Sequence, residues 1–91
     1  MPEILQFSES AEKGVLGSIL VNQATIHQVR AILPNADMFH PKRAPVYQVM
    51  LDLADDNTPP DFLAVCDLLE RRKQLEKVGG ASEITLLINE G

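Results

Sequence analysis

The stretch that most constrains the fold is residues 61–84, DFLAVCDLLERRKQLEKVGGASEI. Four side chains recur at i, i+3, i+4 and i+7: Phe62, Val65, Cys66 and Leu69. This spacing puts them on one face of an amphipathic helix from about Asp61 to Lys73. A short second turn of helix follows, and Gly79-Gly80 supplies the positive φ that a sharp reversal into a further helix requires. The stretch predicts an arrangement of helices and contains no pattern that indicates a catalytic or cofactor site.

Three more helices are predicted ahead of it, over about 10–21, 23–33 and 45–55. Ser8 or Ser10 is the candidate N-cap of the first helix, and Pro45 suits the first position of the third. The residues expected to face inward from the first two helices are Ala11, Val15, Leu16, Ile19, Ile26, Val29, Ile32 and Leu33. No segment alternates long enough for a strand. We expect one all-α domain of five or six short helices over residues 10–91, preceded by an arm over residues 1–9.

The charge of the chain argues against a strong direct contact with nucleic acid. Eight basic residues stand against 13 acidic ones, for a net charge of −5, whereas phosphate binding needs clustered cations. A protein partner is the more natural expectation. The single cysteine, Cys66, excludes an internal disulfide and suits a reducing cytosol. No apolar run is long enough for a membrane span and no signal peptide is apparent, so we expect a cytoplasmic protein.

No pattern in the chain supports catalysis or a cofactor site. His27, His40 and Cys66 lack the spacing of metal ligands. Cys66 lies on an apolar helix face, where a small buried hydrophobe is the better interpretation than a nucleophile. The acids Asp52, Asp55, Asp56 and Asp61 fall at a helix end and in a turn, where acids are common. Gly79-Gly80 lacks the flanking pattern of a phosphate-binding loop. We therefore expect no enzyme, no metal and no cofactor within these residues.

Gly14 and Gly17 interrupt the first helix one turn apart. Each glycine costs up to about 1 kcal/mol relative to alanine inside a helix. The pair therefore suggests that another backbone approaches closely there, and a tolerated defect is the alternative.

Taken in order, several segments resemble the N-terminal domain of replicative DNA helicases of the DnaB family. The matching elements are Ala11-Glu12, Val15-Leu16-Gly17-Ser18-Ile19-Leu20, Phe39, Val46-Tyr47 with Met50 and Leu53, Pro60-Asp61, Leu69, Leu75 and Val78-Gly79-Gly80. The ordered set covers nearly the whole chain from Ser10 onward. The resemblance implies a compact orthogonal helical bundle that forms the collar of a hexameric ring. ATP and magnesium would belong to a separate motor domain.

The resemblance also implies partners: other copies of the chain in a dimer or hexamer, the C-terminal domain of primase, and a helicase loader. Apolar surface that a small helical domain cannot bury is available for such contacts. The candidate contact residues are Gly14, Gly17, Leu63, Leu68, Arg71 and Arg72. The alternatives are a related docking module borne on primase and a free-standing regulator of a helicase, with a small enzyme least favoured.

Overall fold

The computed structural model describes residues 8–90, which form five α-helices and two short 3-10 turns. The α-helices are α1 (Glu9–Val21), α2 (Thr25–Ile32), α3 (Ala44–Asp55), α4 (Phe62–Arg71) and α5 (Gly80–Glu90). The 3-10 turns are Ala36–Met38 and Glu76–Val78. Residues 8–90 contain no strand, so the all-α prediction is confirmed.

Side-chain N-caps mark the start of α1 and of α4. The Ser8 hydroxyl accepts a hydrogen bond from the Ala11 N–H at 3.1 Å and caps α1, and Asp61 caps α4 in the same way. Helix α1 therefore starts at Glu9, one residue inside the predicted arm, while residues 1–7 of that arm lie outside the described residues. Helix α3 starts at Ala44, so Pro45 occupies the second helical position instead of the first.

Three helical segments end in the same motif, in which a residue in the left-handed region reverses the chain. These residues are Asn57 at φ 58°, Lys73 at φ 59° and Gly79 at φ 105°. In each case the next residue donates its N–H to a carbonyl five residues back at 2.8 Å, as in a Schellman motif. Glycine and asparagine tolerate this conformation readily, whereas Lys73 adopts it at a steric cost. The predicted reversal at Gly79-Gly80 is confirmed, with Gly80 also at positive φ.

The core is centred on α3, whose Tyr47 side chain is fully buried. The Tyr47 hydroxyl donates to the Leu33 carbonyl at 2.6 Å, and its ring stacks on Phe39 with centroids 4.7 Å apart. One aromatic residue thus ties α3 to the end of α2 and to the segment that follows it. Around it, α1 packs mainly on α5, and α3 packs on α4. Burial also raises the pKa of the Tyr47 phenol, so the hydroxyl remains a donor at neutral pH.

Two residues expected to face inward do not. Ile32 is 75% exposed, because α2 ends there and the non-helical backbone of Leu33 turns that next side chain into the core instead. Ala11 is exposed, and the neighbouring Glu12 takes the inward position. Cys66 is only partly buried, although it packs against the core as a small hydrophobe.

Glu12 is a buried acid, 3% exposed, on the inward face of α1. Its carboxylate accepts the His40 N–H at 3.1 and 3.2 Å and the Arg43 Nε–H at 2.7 Å. Both donors lie just before or at the start of α3, so the carboxylate joins α1 to that start. Because Arg43 is also largely buried, each charge needs the other as its partner.

We predict that Glu12→Gln destabilises the domain by about 3 kcal/mol, because it leaves a buried guanidinium without its counter-charge. Glu9→Gln removes a carboxylate from the same helix, but Glu9 pairs with Lys13 at the surface, so the variant should leave the unfolding midpoint essentially unchanged. Urea unfolding followed by circular dichroism measures both. If Glu12→Gln lowered the free energy of unfolding as little as Glu9→Gln does, the Glu12 pair would not stabilise the fold.

Candidate protein-interaction site

A groove of about 430 Å³ runs between α3 and α4. Its lining combines acidic, basic and small apolar side chains: Asp52, Leu53, Asp56, Thr58, Ala64, Asp67, Leu68, Arg71 and Arg72. Three of the six predicted contact residues, Leu68, Arg71 and Arg72, therefore lie together in one depression. The turn over residues 56–61 connects α3 to α4 at the end of the groove, with Asn57 reversing the chain and Asp61 capping α4.

The two arginines of the groove are not equivalent. The Arg72 guanidinium contacts the Asp52 carboxylate at 2.8 Å, and this pair bridges α4 to α3 with both side chains about one third exposed. Arg71 contacts Asp67 at 2.8 Å one turn earlier on α4, and both of these side chains are largely exposed. Arg72 therefore fixes the wall of the groove, while Arg71 lies on its rim.

Leu63 and Leu68 also differ in their surroundings. Leu68 is half-buried and packs against the hydrophobic core while lining the groove. Leu63 is 76% exposed, the highest value among the exposed large hydrophobic residues of the described chain. Because Leu63 lies one helical turn before the groove residue Asp67, at i, i+4, the two side chains are neighbours on α4 and the exposed leucine borders the charged groove. A single exposed leucine is ordinary on a protein surface, so it is the position of Leu63 next to the groove that sets it apart.

Gly14 and Gly17 lie on α1, away from the groove residues of α3 and α4. Gly17 is buried, and a Cβ placed on Gly14 would lie 3.8 Å from the Glu90 carbonyl oxygen of α5. Another backbone does pass Gly14, but at an ordinary van der Waals distance that leaves room for a methyl group. The tolerated-defect interpretation thus fits Gly14 better than close approach. The contact role of both glycines stays a prediction.

The remaining polar groups of the described chain form no reactive constellation. Burial and the nearby Glu70 charge raise the pKa of the Cys66 thiol, which disfavours the nucleophilic thiolate. Residues 8–90 hold no group of three or more metal-ligating side chains. The His40 Nδ1 accepts the Lys42 N–H at 3.0 Å and so serves a local turn. In the same range, no helix has the length and hydropathy to cross a bilayer.

The family model for the DnaB-like helicase N-terminal domain matches residues 4–91. The chain belongs to this family. It is 35% identical over 80 residues to the replicative DNA helicase DnaB of Mycobacterium leprae, covering 88% of this chain and 13% of that protein. The replicative helicase DnaB of Geobacillus stearothermophilus is 31% identical over 80 residues, covering 88% and 18%. The chain thus spans less than a fifth of these relatives.

A solved structure supports the same assignment. The crystal structure of the N-terminal domain of DnaB helicase from Mycobacterium tuberculosis superposes with a TM-score of 0.86 at 33% identity, covering 92% of this chain and 58% of that one. The predicted resemblance and fold class are therefore confirmed. The matched domain is the non-catalytic part of these helicases and has no catalytic cofactor site, while the full-length relatives are named as helicases.

Sequence reasoning missed two features of the structure. It named Arg71 and Arg72 as contact candidates without predicting that Asp67 and Asp52 neutralise them. The Asp67–Arg71 spacing of i, i+4 is readable from the sequence, but the Asp52–Arg72 pair joins two helices and has no sequence signal. Glu12 was also missed, although its position one turn before Leu16 and two before Ile19 puts an acid in register with apolar residues.

We predict that Arg72→Glu destabilises the domain by about 1 kcal/mol, because it breaks the bridge between α3 and α4 and sets two carboxylates side by side. Arg71→Glu should cost less than about 0.5 kcal/mol, since its pair with Asp67 lies in solvent. Thermal unfolding of the two single variants measures the difference. If Arg71→Glu proved the more damaging, the assignment of Arg72 to the groove wall would be wrong.

Proposed function

We propose that this chain is the collar domain of a hexameric replicative DNA helicase and that it acts by binding alone. In this proposal it contributes to ring assembly and docks primase or a helicase loader during DNA replication, as a cytoplasmic protein. Membership of the DnaB-like N-terminal domain family supports the link to replication. ATP hydrolysis with magnesium would be the work of a motor domain outside these residues.

The observation that carries the docking proposal is the outer surface of α4. It presents Leu63, at 76% exposure, beside a groove whose floor includes the half-buried Leu68 and whose rim includes Arg71. An apolar anchor surrounded by charged groups is the usual layout of a protein interface, in which burial of the anchor gives affinity and the rim gives specificity.

Binding at this surface has a physical route to the rest of the domain. Helix α4 contacts α3 through the Arg72–Asp52 pair and also packs on α5, which in turn packs on α1. A partner that prefers one arrangement of α4 would shift the population of collar arrangements by its difference in affinity for them. Binding of a partner to the domain would thus influence the ring, although the domain itself has no catalytic activity in this proposal.

A matched pair of substitutions tests the docking surface. Leu63→Ser should weaken binding of the primase C-terminal domain by about tenfold, since a buried leucine anchor contributes about 1.5 kcal/mol or more. Ile32→Ser removes an equally exposed aliphatic residue, 75% against 76%, from α2. It should leave the affinity unchanged. Isothermal titration calorimetry with the full chain measures both dissociation constants.

Two outcomes would count against the proposal. Failure of the unmodified chain to bind the primase domain at all would remove primase as a partner. Equal effects of Leu63→Ser and Ile32→Ser would remove α4 as the docking surface. Circular dichroism of both variants provides the control for folding, because neither side chain belongs to the core.

A further inference from the structure

The groove between α3 and α4 carries uncompensated negative charge. Arg71 and Arg72 are already paired with Asp67 and Asp52. The third acid of the lining, Asp56, is exposed, and its carboxylate enters none of the ion pairs found within residues 8–90. The groove therefore offers one free carboxylate and no free cation.

The backbone of α3 adds to this negative potential. Asp56 is the C-cap of α3, where the partial negative charge of the helix dipole is concentrated, and the last turn of α3 contains no basic residue. Asp55 lies beside it but is paired with Arg30 at 2.8 Å. An acid at a helix carboxyl end is unfavourable by itself, so this position would gain from an external cation.

We infer that the groove accepts a partner protein segment that presents a lysine or arginine to Asp56 and a small apolar side chain to Ala64 and Leu68. This inference rests on the proposed docking function and specifies the chemistry of the partner at the same site. The partner charge inferred here is opposite to the one that the two arginines alone suggest. If they were unpaired, they would favour an acidic partner. The incoming cation neutralises both the Asp56 carboxylate and the end of the α3 dipole.

The overall charge of the chain favours another protein over a second copy as the source of that cation. The chain carries 13 acids and 8 bases, so two copies repel at long range. Of its eight basic side chains, five are held in ion pairs within residues 8–90, which leaves only the lysines Lys42, Lys73 and Lys77 to set against the acidic surface of a second copy. A partner with a basic surface would be attracted to the acidic chain and not repelled by it.

The test measures binding of the primase C-terminal domain to the full chain at several salt concentrations. Asp56→Asn should weaken binding about two- to fivefold at low salt, as expected for an exposed ion pair, and should reduce the salt dependence. Asp56→Lys should weaken it further. Both substitutions remove an acid from a helix carboxyl end, so both should raise the Tm of the free domain. Weaker binding together with greater stability excludes misfolding as the cause.

Asp37→Asn provides the matched control. Asp37 is another exposed aspartate, in the 3-10 turn beside Phe39, which stacks on Tyr47 in the first half of α3. Unchanged affinity for Asp37→Asn with weakened affinity for Asp56→Asn supports the inference. Equal effects, no effect of Asp56→Asn, or a concentration-dependent dimer that Asp56→Asn abolishes would each overturn it. If the unmodified chain binds no primase domain, the proposed primase docking fails and the inference falls with it. Binding that is insensitive to Asp56 contradicts the inference alone.

Discussion

The buried Glu12 carboxylate is the interaction on which the arrangement of this domain most depends. It holds the His40 N–H and the Arg43 guanidinium, and so sets the start of α3 against α1. From that anchored end, α3 carries Tyr47 into the core and delivers Asp52 and Asp56 to the groove beside α4. A buried ion pair contributes modest net stability when intact but is costly to break. Because both donors to Glu12 lie at or just before the start of α3, the carboxylate joins that end of α3 to α1.

Around that anchor, the domain separates its core from its proposed contact surface within single helices. In α4, Val65 and Leu69 are fully buried, whereas Leu63 lies in solvent, and the C-cap residue Arg72 bridges to α3. One helix thus contributes to the core, the groove wall and the exposed anchor. A small domain has little spare surface for dedicated binding loops, and use of the outer side of a core helix gives a contact surface that is already ordered before binding.

The sequence predicted the helices well because periodicity, caps and turn residues are local signals. The stripe on α4, the Asp61 cap and the Gly79-Gly80 reversal follow from such signals. Features that join distant segments were harder to predict. The Asp52–Arg72 and Glu12–Arg43 pairs span 20 and 31 positions, and no local pattern reports which charges meet. For the same reason, the contact candidates came out as a mixed set: Arg71 and Leu63 are exposed, whereas Gly17 is buried.

The central claim is that partners dock on the outer side of α4 and in its groove with α3. Amide hydrogen exchange, measured on the full chain alone and in complex with the primase C-terminal domain, tests this claim most directly. The account predicts that the largest added protection occurs at the carboxyl end of α3, in the turn over residues 56–61 and along α4, with smaller changes in α1 and α2. Protection concentrated on α1 and α2, with α4 exchanging as in the free chain, would contradict it.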